Sequence, residues 1–288
     1  MSQSNKSKTG LWALCLKFGS KVFSLLAKFF KLTKIGLAAA SFAGYALLFS
    51  WKFALLILIA IGFHESGHVW AMKRMGIKTK GFYFIPFIGG AAIAEEQYKT
   101  YGQNAYIAIM GPVWGMLLAS ITATIYCITN VPLFAAAAAW IAMINLFNLL
   151  CIHPLDGGQL VRAIAFSIHK TLGLVFMALS MVLGIIIMWK LRIGLFALIL
   201  FVGGIELFIE ARNRVKLYQV ACGKLDSYKL PASMFNNDGN LKVYPIAMNK
   251  IQILYTSAAY IGAIVGLLII LLSLKDIPGA DIAANFLR

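Results

Sequence analysis

Residues 56–75 read LILIAIGFHESGHVWAMKRM, and this stretch decides the fold. It begins as an unbroken apolar run and ends in two basic residues, the pattern of a helix that crosses hydrocarbon and stops at a charged surface. Within it lies His64-Glu65-Ser66-Gly67-His68, an HExxH pattern. Two histidines at i and i+4 fall on one helix face, where both imidazoles reach a single metal ion. The glutamate beside the first histidine is placed to act as general base toward a water activated by Zn²⁺. HExxH has only three fixed positions and occurs by chance in soluble chains. Inside a long apolar helix the balance shifts, because ionisable groups at membrane depth are costly and mark functional sites. Three of them in five residues call for a shared partner, which a divalent cation supplies.

The rest of the chain supports a membrane setting. Of 288 residues, 61% are hydrophobic and 12% charged, with mean hydropathy +0.82. Soluble domains are about half apolar and about a quarter charged, so a soluble enzyme, a disordered chain and a fibrous repeat are excluded. The expected class is an all-α polytopic membrane protein. Seven apolar segments approach spanning length: 35–50, 52–72, 104–128, 132–152, 172–189, 193–209 and 251–274. With the N-terminus in the cytoplasm and the spans alternating, 21 of the 26 Lys and Arg residues fall on the cytoplasmic side, as the positive-inside rule requires. The net charge of +16 is accordingly expected to face anionic lipid headgroups rather than nucleic acid. Residues 11–32 place Lys17, Lys21, Lys28 and Lys31 on one face, which suggests an amphipathic interfacial helix that is retained rather than cleaved. Three parts follow: a basic N-terminal segment 1–34, a membrane core 35–170, and further helices 171–288 with a basic cytoplasmic loop 210–250. Cys15, Cys127, Cys151 and Cys222 form no CxxC pair and read as apolar filler.

A two-histidine site needs a third protein ligand if a catalytic position is to stay open. Besides Glu65, only Asp156 and Glu206 sit in strongly apolar surroundings. Asp156 follows Asn148-Leu-Leu-Cys-Ile-His-Pro-Leu at the end of the fourth span, and on the alternating topology it reaches the same side and depth as the HExxH helix. It is the preferred ligand, because Pro154 and Gly157-Gly158 are expected to break the helix and turn the carboxylate inward. Glu206 is the rival. His153 is expected as an interfacial histidine near the site, with a role as outer-sphere donor or competing ligand also open. Residues 81–94, GFYFIPFIGGAAIA, are apolar but carry Pro86 and Gly89-Gly90, so a strand or re-entrant hairpin is expected there rather than a spanning helix.

HExxH in one transmembrane helix followed by LDGG in a later one resembles the site-2 protease family of intramembrane zinc metalloproteases. The resemblance covers about residues 52–170. It implies one Zn²⁺ per chain held by His64, His68 and Asp156, with Glu65 as base, and Asn148 as a substrate-positioning residue. It also implies cleavage of a peptide bond in or near a transmembrane helix of another membrane protein, and a membrane-embedded β-structure at 81–94 whose edge either pairs with unwound substrate or belongs to a re-entrant loop that only shields the zinc site. Two features depart from the family pattern: Cys151 and His153 stand where prolines are common, and Gly115 stands where an asparagine is often found after Gly111-Pro112. The expected setting is a bacterial cytoplasmic membrane with the site open to the cytoplasm. Competing readings are a transporter or channel using the same intramembrane groups, a catalytically silent relative that binds membrane proteins, and a metalloprotease whose third ligand is a glutamate. A transporter is expected to show paired half-helices or an internal repeat, and neither is evident.

Overall fold

A computed structural model describes residues 34–87, 89–191, 196–221 and 245–280. The expected amphipathic segment 11–32 and most of the loop 210–250 lie outside them. The order of elements is α1 (Lys34–Leu48), α2 (Trp51–Arg74), β1 (Thr79–Ile85), β2 (Gly89–Ala94), α3 (Tyr101–Thr129), α4 (Pro132–Asn148), α5 (Asp156–Ile168), α6 (Lys170–Leu191), α7 (Phe196–Ala221) and α8 (Lys250–Ser273). The described chain is mostly helical. Among the described residues four helices, α2, α3, α6 and α8, are long and apolar enough to cross a membrane, while α1 and α4 are apolar but shorter, at 15 and 17 residues. Outward-facing Leu179, Ile186, Phe201, Ile261 and Ile269 are exposed, as side chains solvated by lipid would be.

Local chemistry sets the helix limits. Ser50 caps α2 by accepting from the Phe53 N–H, and Thr100 caps α3 by accepting from Gln103 N–H. Lys73 and Arg74 close α2, where the helix dipole favours positive charge. Asn249 and Gln252 form a reciprocal capping box that starts α8.

Packing is densest where α2, α3, α4 and α5 meet. Gly67 lets α2 lie directly on α3, since a Cβ there would run into the Met110 carbonyl. Alanines do the same between α3 and α4: Ala119, Ala135, Ala138, Ala139 and Ala142 are all buried. Small side chains bring helix backbones together where the lipid gives no hydrophobic push.

Two expectations change in detail. Gly157-Gly158 were expected to break a helix, but they lie inside α5, which begins at Asp156. Their role is close approach: a Cβ on Gly157 would meet the Leu149 and Leu150 carbonyls, and one on Gly158 the backbone of Ile152 and His153. The break falls instead at 149–155, between α4 and α5. The apolar span 193–209 continues as helix through Ala221. Glu210 and Arg214 pair at 2.6 Å one turn apart, and Arg214 stacks over Phe166 and donates to the Tyr101 hydroxyl, which holds the polar end of α7 to α3 and α5.

The segment expected as strand or hairpin is an antiparallel hairpin, with Phe82 opposite Ala92 and Phe84 opposite Gly90. Phe87 takes φ 66°, an uncommon value for a side-chain-bearing residue. Its ring packs against Tyr45 and fills the space left by Gly44 on α1.

Candidate metal centre

The α-helical repeat places His64 and His68 one above the other on the buried face of α2, 3% and 7% exposed. Asp156 arrives from the first turn of α5, where the positive end of the helix dipole favours a carboxylate. His64 Nε2 lies 3.0 Å and His68 Nε2 3.3 Å from Asp156 Oδ2, and the two Nε2 atoms are 3.1 Å apart.

These spacings suit a metal ion. Ligands about 2.0 Å from a tetrahedral ion lie about 3.3 Å from one another. The ring orientations suit it too. The Ile107 carbonyl can only accept, so His68 Nδ1 donates to it, at 2.7 Å, and His68 Nε2 presents a lone pair. Pro112, inside α3, has no N–H for the Ala108 carbonyl and opens the helix ladder next to the carbonyl that receives His68. His64 Nδ1 faces Asn145 Oδ1 at 2.8 Å. Gly111 leaves the space that the rings occupy: a Cβ there would collide with the Nε2 atoms of both histidines. Two imidazole lone pairs and a carboxylate at this distance repel unless a cation lies between them, and two nitrogens with one oxygen are a donor set that zinc takes. Among the described residues this is the one group of three such ligands close enough to hold an ion.

Glu65 is 6% exposed and turns toward the hairpin. Gly90 of β2 sits on it so closely that a Cβ would strike the Glu65 side chain. Site and hairpin open on a largely apolar cavity of about 1120 Å³. Its walls include Gly89 to Ala92 of β2, Asn148 at the end of α4, Val202 of α7 and Ile264 of α8. Tyr98, in the loop before α3, also lines it; burial first, and the Asp156 charge second, push its phenol above the usual tyrosine range, so it keeps its proton and remains a donor.

The structure separates the candidates read from sequence. His64, His68 and Asp156 come together, with Glu65 beside them. Glu206 is elsewhere: its carboxylate meets His153 Nε2 at 2.5 Å. His153, expected at an interface, is 1% exposed and packed beneath α6 and α7, where Ser180 accepts from its backbone N–H. Asn148 lines the cavity without touching the histidines. The residue that sequence reading missed is Asn145, one turn earlier, which does touch one. The available signal was that Asn145 is one of two asparagines in an otherwise apolar stretch, PLFAAAAAWIAMINLFN.

Residues 52–137 match the profile of peptidase family M50. The chain is 28% identical over 115 residues to "Zinc metalloprotease MJ0392" of Methanocaldococcus jannaschii, which is 38% of this chain and 33% of that protein. It is 35% identical over 122 residues to "Putative zinc metalloprotease sll0528" of Synechocystis sp., 40% of this chain and 31% of that protein. A third relative, "Putative zinc metalloprotease Rip3" of Mycobacterium tuberculosis, is 31% identical over 124 residues, with the same two shares, 40% and 31%. The chain thus spans about a third of the length of the curated relatives it matches. The matched region holds the helix with both histidines, and the third donor reaches it from α5. Residues 52–137 are therefore similar to peptidase family M50, the site-2 protease family.

Proposed function

We propose that this chain is an intramembrane zinc endopeptidase that hydrolyses a peptide bond in or near a transmembrane helix of a membrane protein. The observation that carries the reading is the convergence of His64 Nε2, His68 Nε2 and Asp156 Oδ2 beside Glu65, which itself lies against Gly90 of β2. His64, His68 and Asp156 would hold the ion, and zinc bound there would supply Lewis acidity.

The remaining steps belong to the protein. Glu65 takes a proton from the attacking water on its carboxylate and delivers it to the leaving nitrogen as the peptide bond breaks. β2 pairs with β1 along one edge, and its other edge offers backbone N–H and C=O groups to an extended peptide. Pairing there draws a substrate helix into an unwound form, which exposes the carbonyl that helical hydrogen bonding otherwise occupies. Asn148, on the cavity wall, positions the unwound segment. Apolar walls of α7 and α8 suit the lipid-facing side chains of the same substrate.

The setting is a membrane crossed seven times, with α1, α4 and α7 completing the four long helices and the hairpin entering the bilayer from one side. The N-terminus and the site face the cytoplasm of a bacterium, the basic segment 1–34 lies on anionic lipid, residues 35–170 form the protease core, and 171–288 add helices around it.

The test uses purified full-length protein in lipid vesicles with a reporter membrane protein. Wild type cleaves it, a chelator stops cleavage and added zinc restores it. Glu65→Gln keeps about one zinc per chain and loses at least about 10²–10⁴-fold in rate, the range a general base contributes. Loss of zinc from that variant would make Glu65 a ligand. Zinc binding without cleavage of any membrane reporter would leave a silent binding protein.

A further inference from the structure

Asn145 is 0% exposed and lies in the wall between α4 and the metal-binding face of α2. It makes two hydrogen bonds with different logic. Its Nδ2 donates to the Ile141 carbonyl at 2.8 Å, and that carbonyl can only accept. The amide is thereby oriented, and its Oδ1 is the atom left facing His64 Nδ1 at 2.8 Å. An amide oxygen has no hydrogen to give, so His64 Nδ1 carries the proton and donates. His64 Nε2 is then the nitrogen with the free lone pair, aimed at His68 and Asp156.

A second observation shows that this space is shaped for an amide. Gly115 on α3 lies directly behind Asn145, and a Cβ on Gly115 would collide with Oδ1, Cγ and Nδ2 together. The side chain is held by α4 through Ile141, by α2 through His64 and by the bare backbone of α3 at Gly115. His68 gets the equivalent service from a backbone carbonyl of α3. The two ligands of one helix are thus oriented by two different helices.

We infer that Asn145 is a positioning residue for the metal centre: it fixes the tautomer and ring plane of His64, and Gly115 is the socket that holds it in place. This rests on the reading of His64, His68 and Asp156 as a zinc site. Partners that donate or accept at the far nitrogen of a metal-binding histidine change metal affinity by about 10–100-fold when removed.

The experiment measures zinc affinity of detergent-purified full-length protein by competition with a chelator, alongside the visible spectrum of the cobalt-substituted protein. Asn145→Leu, branched at Cγ with the same number of side-chain heavy atoms but without an acceptor, is expected to weaken zinc by about 10–100-fold and to alter the cobalt bands. Asn145→Asp keeps an oxygen opposite Nδ1 and is expected to recover most of the affinity, whereas Asn145→Val, which fills much of the same space without an acceptor, is not. Gly115→Ala is expected to weaken zinc when Asn145 is present and to add nothing in an Asn145→Ala background, where the socket is empty. Should Asn145→Leu fail to fold, the aspartate variant and the glycine cycle decide. Wild-type affinity in Asn145→Leu, loss in Asn145→Asp as deep as in leucine, or additive losses in the cycle would each overturn the inference. His64→Ala separates this from the parent reading: if it retains zinc, or wild type binds none, the metal site itself is wrong. If it loses zinc while Asn145→Leu does not, only the positioning role falls.

Discussion

Among the described residues two histidine–carboxylate groupings stand out, which share the turn that carries His153 and Asp156 and are built for different ends. At the first, two imidazoles and Asp156 converge, and each histidine has its other ring nitrogen occupied, by Asn145 or by the Ile107 carbonyl. At the second, His153 meets Glu206 one to one, with His153 Nδ1 buried and lacking a partner among the described residues. Asp156 is drawn in from a helix start, whereas Glu206 lies on a peripheral helix and remains 47% exposed. An ion pair needs two atoms facing one another. A metal site needs three donors at equal spacing, with the far side of each ring already engaged. By that standard the second pair ties α7 to the 149–155 turn, and the first is the candidate metal centre.

Substitutions at both pairs sharpen the contrast. The largest expected effect comes from Asp156→Asn, which removes a ligand charge and should reduce bound zinc well below one per chain, while Glu206→Gln leaves it near one. Metal analysis of the two purified variants checks this, and the opposite result would exchange their roles. Next is Gly111→Ala. Its methyl group would displace both imidazoles, and because ligand distances are set to within about 0.2 Å, zinc affinity should fall by at least about tenfold in chelator competition. The smallest effect is on stability. Since Glu206 is half exposed, solvent screens its pairing, and Glu206→Gln should cost about 1 kcal/mol or less, measurable as a slight fall in denaturation midpoint with zinc content unchanged.

The sequence shows some of this arrangement and hides the rest, for physical reasons. His64 and His68 are legible because an i, i+4 relation is fixed by helix geometry alone. The hairpin is legible because Pro86 and the paired glycines are poor helix material while the neighbouring aromatic and β-branched residues favour strands. Asp156 was identifiable as a rare acid in an apolar setting, but the way it enters was not, because Gly157 and Gly158 act through carbonyls of a turn that only the fold brings near. Asn145 was missed, since its partner His64 lies 81 residues away in sequence and no local spacing links them. Gly115 illustrates the same limit: in the sequence it is only a departure from a family pattern, whereas in three dimensions it makes room for an amide from the next helix.

The glycine at position 90 has a mechanical consequence. With only hydrogen between the strand and Glu65, that side chain has a ceiling made of main chain. A polypeptide laid along the free edge of that ceiling would press on it, and any rise or tilt would reach the carboxylate at once. Substrate capture and readiness for bond cleavage would then be one movement, shared across a single van der Waals contact.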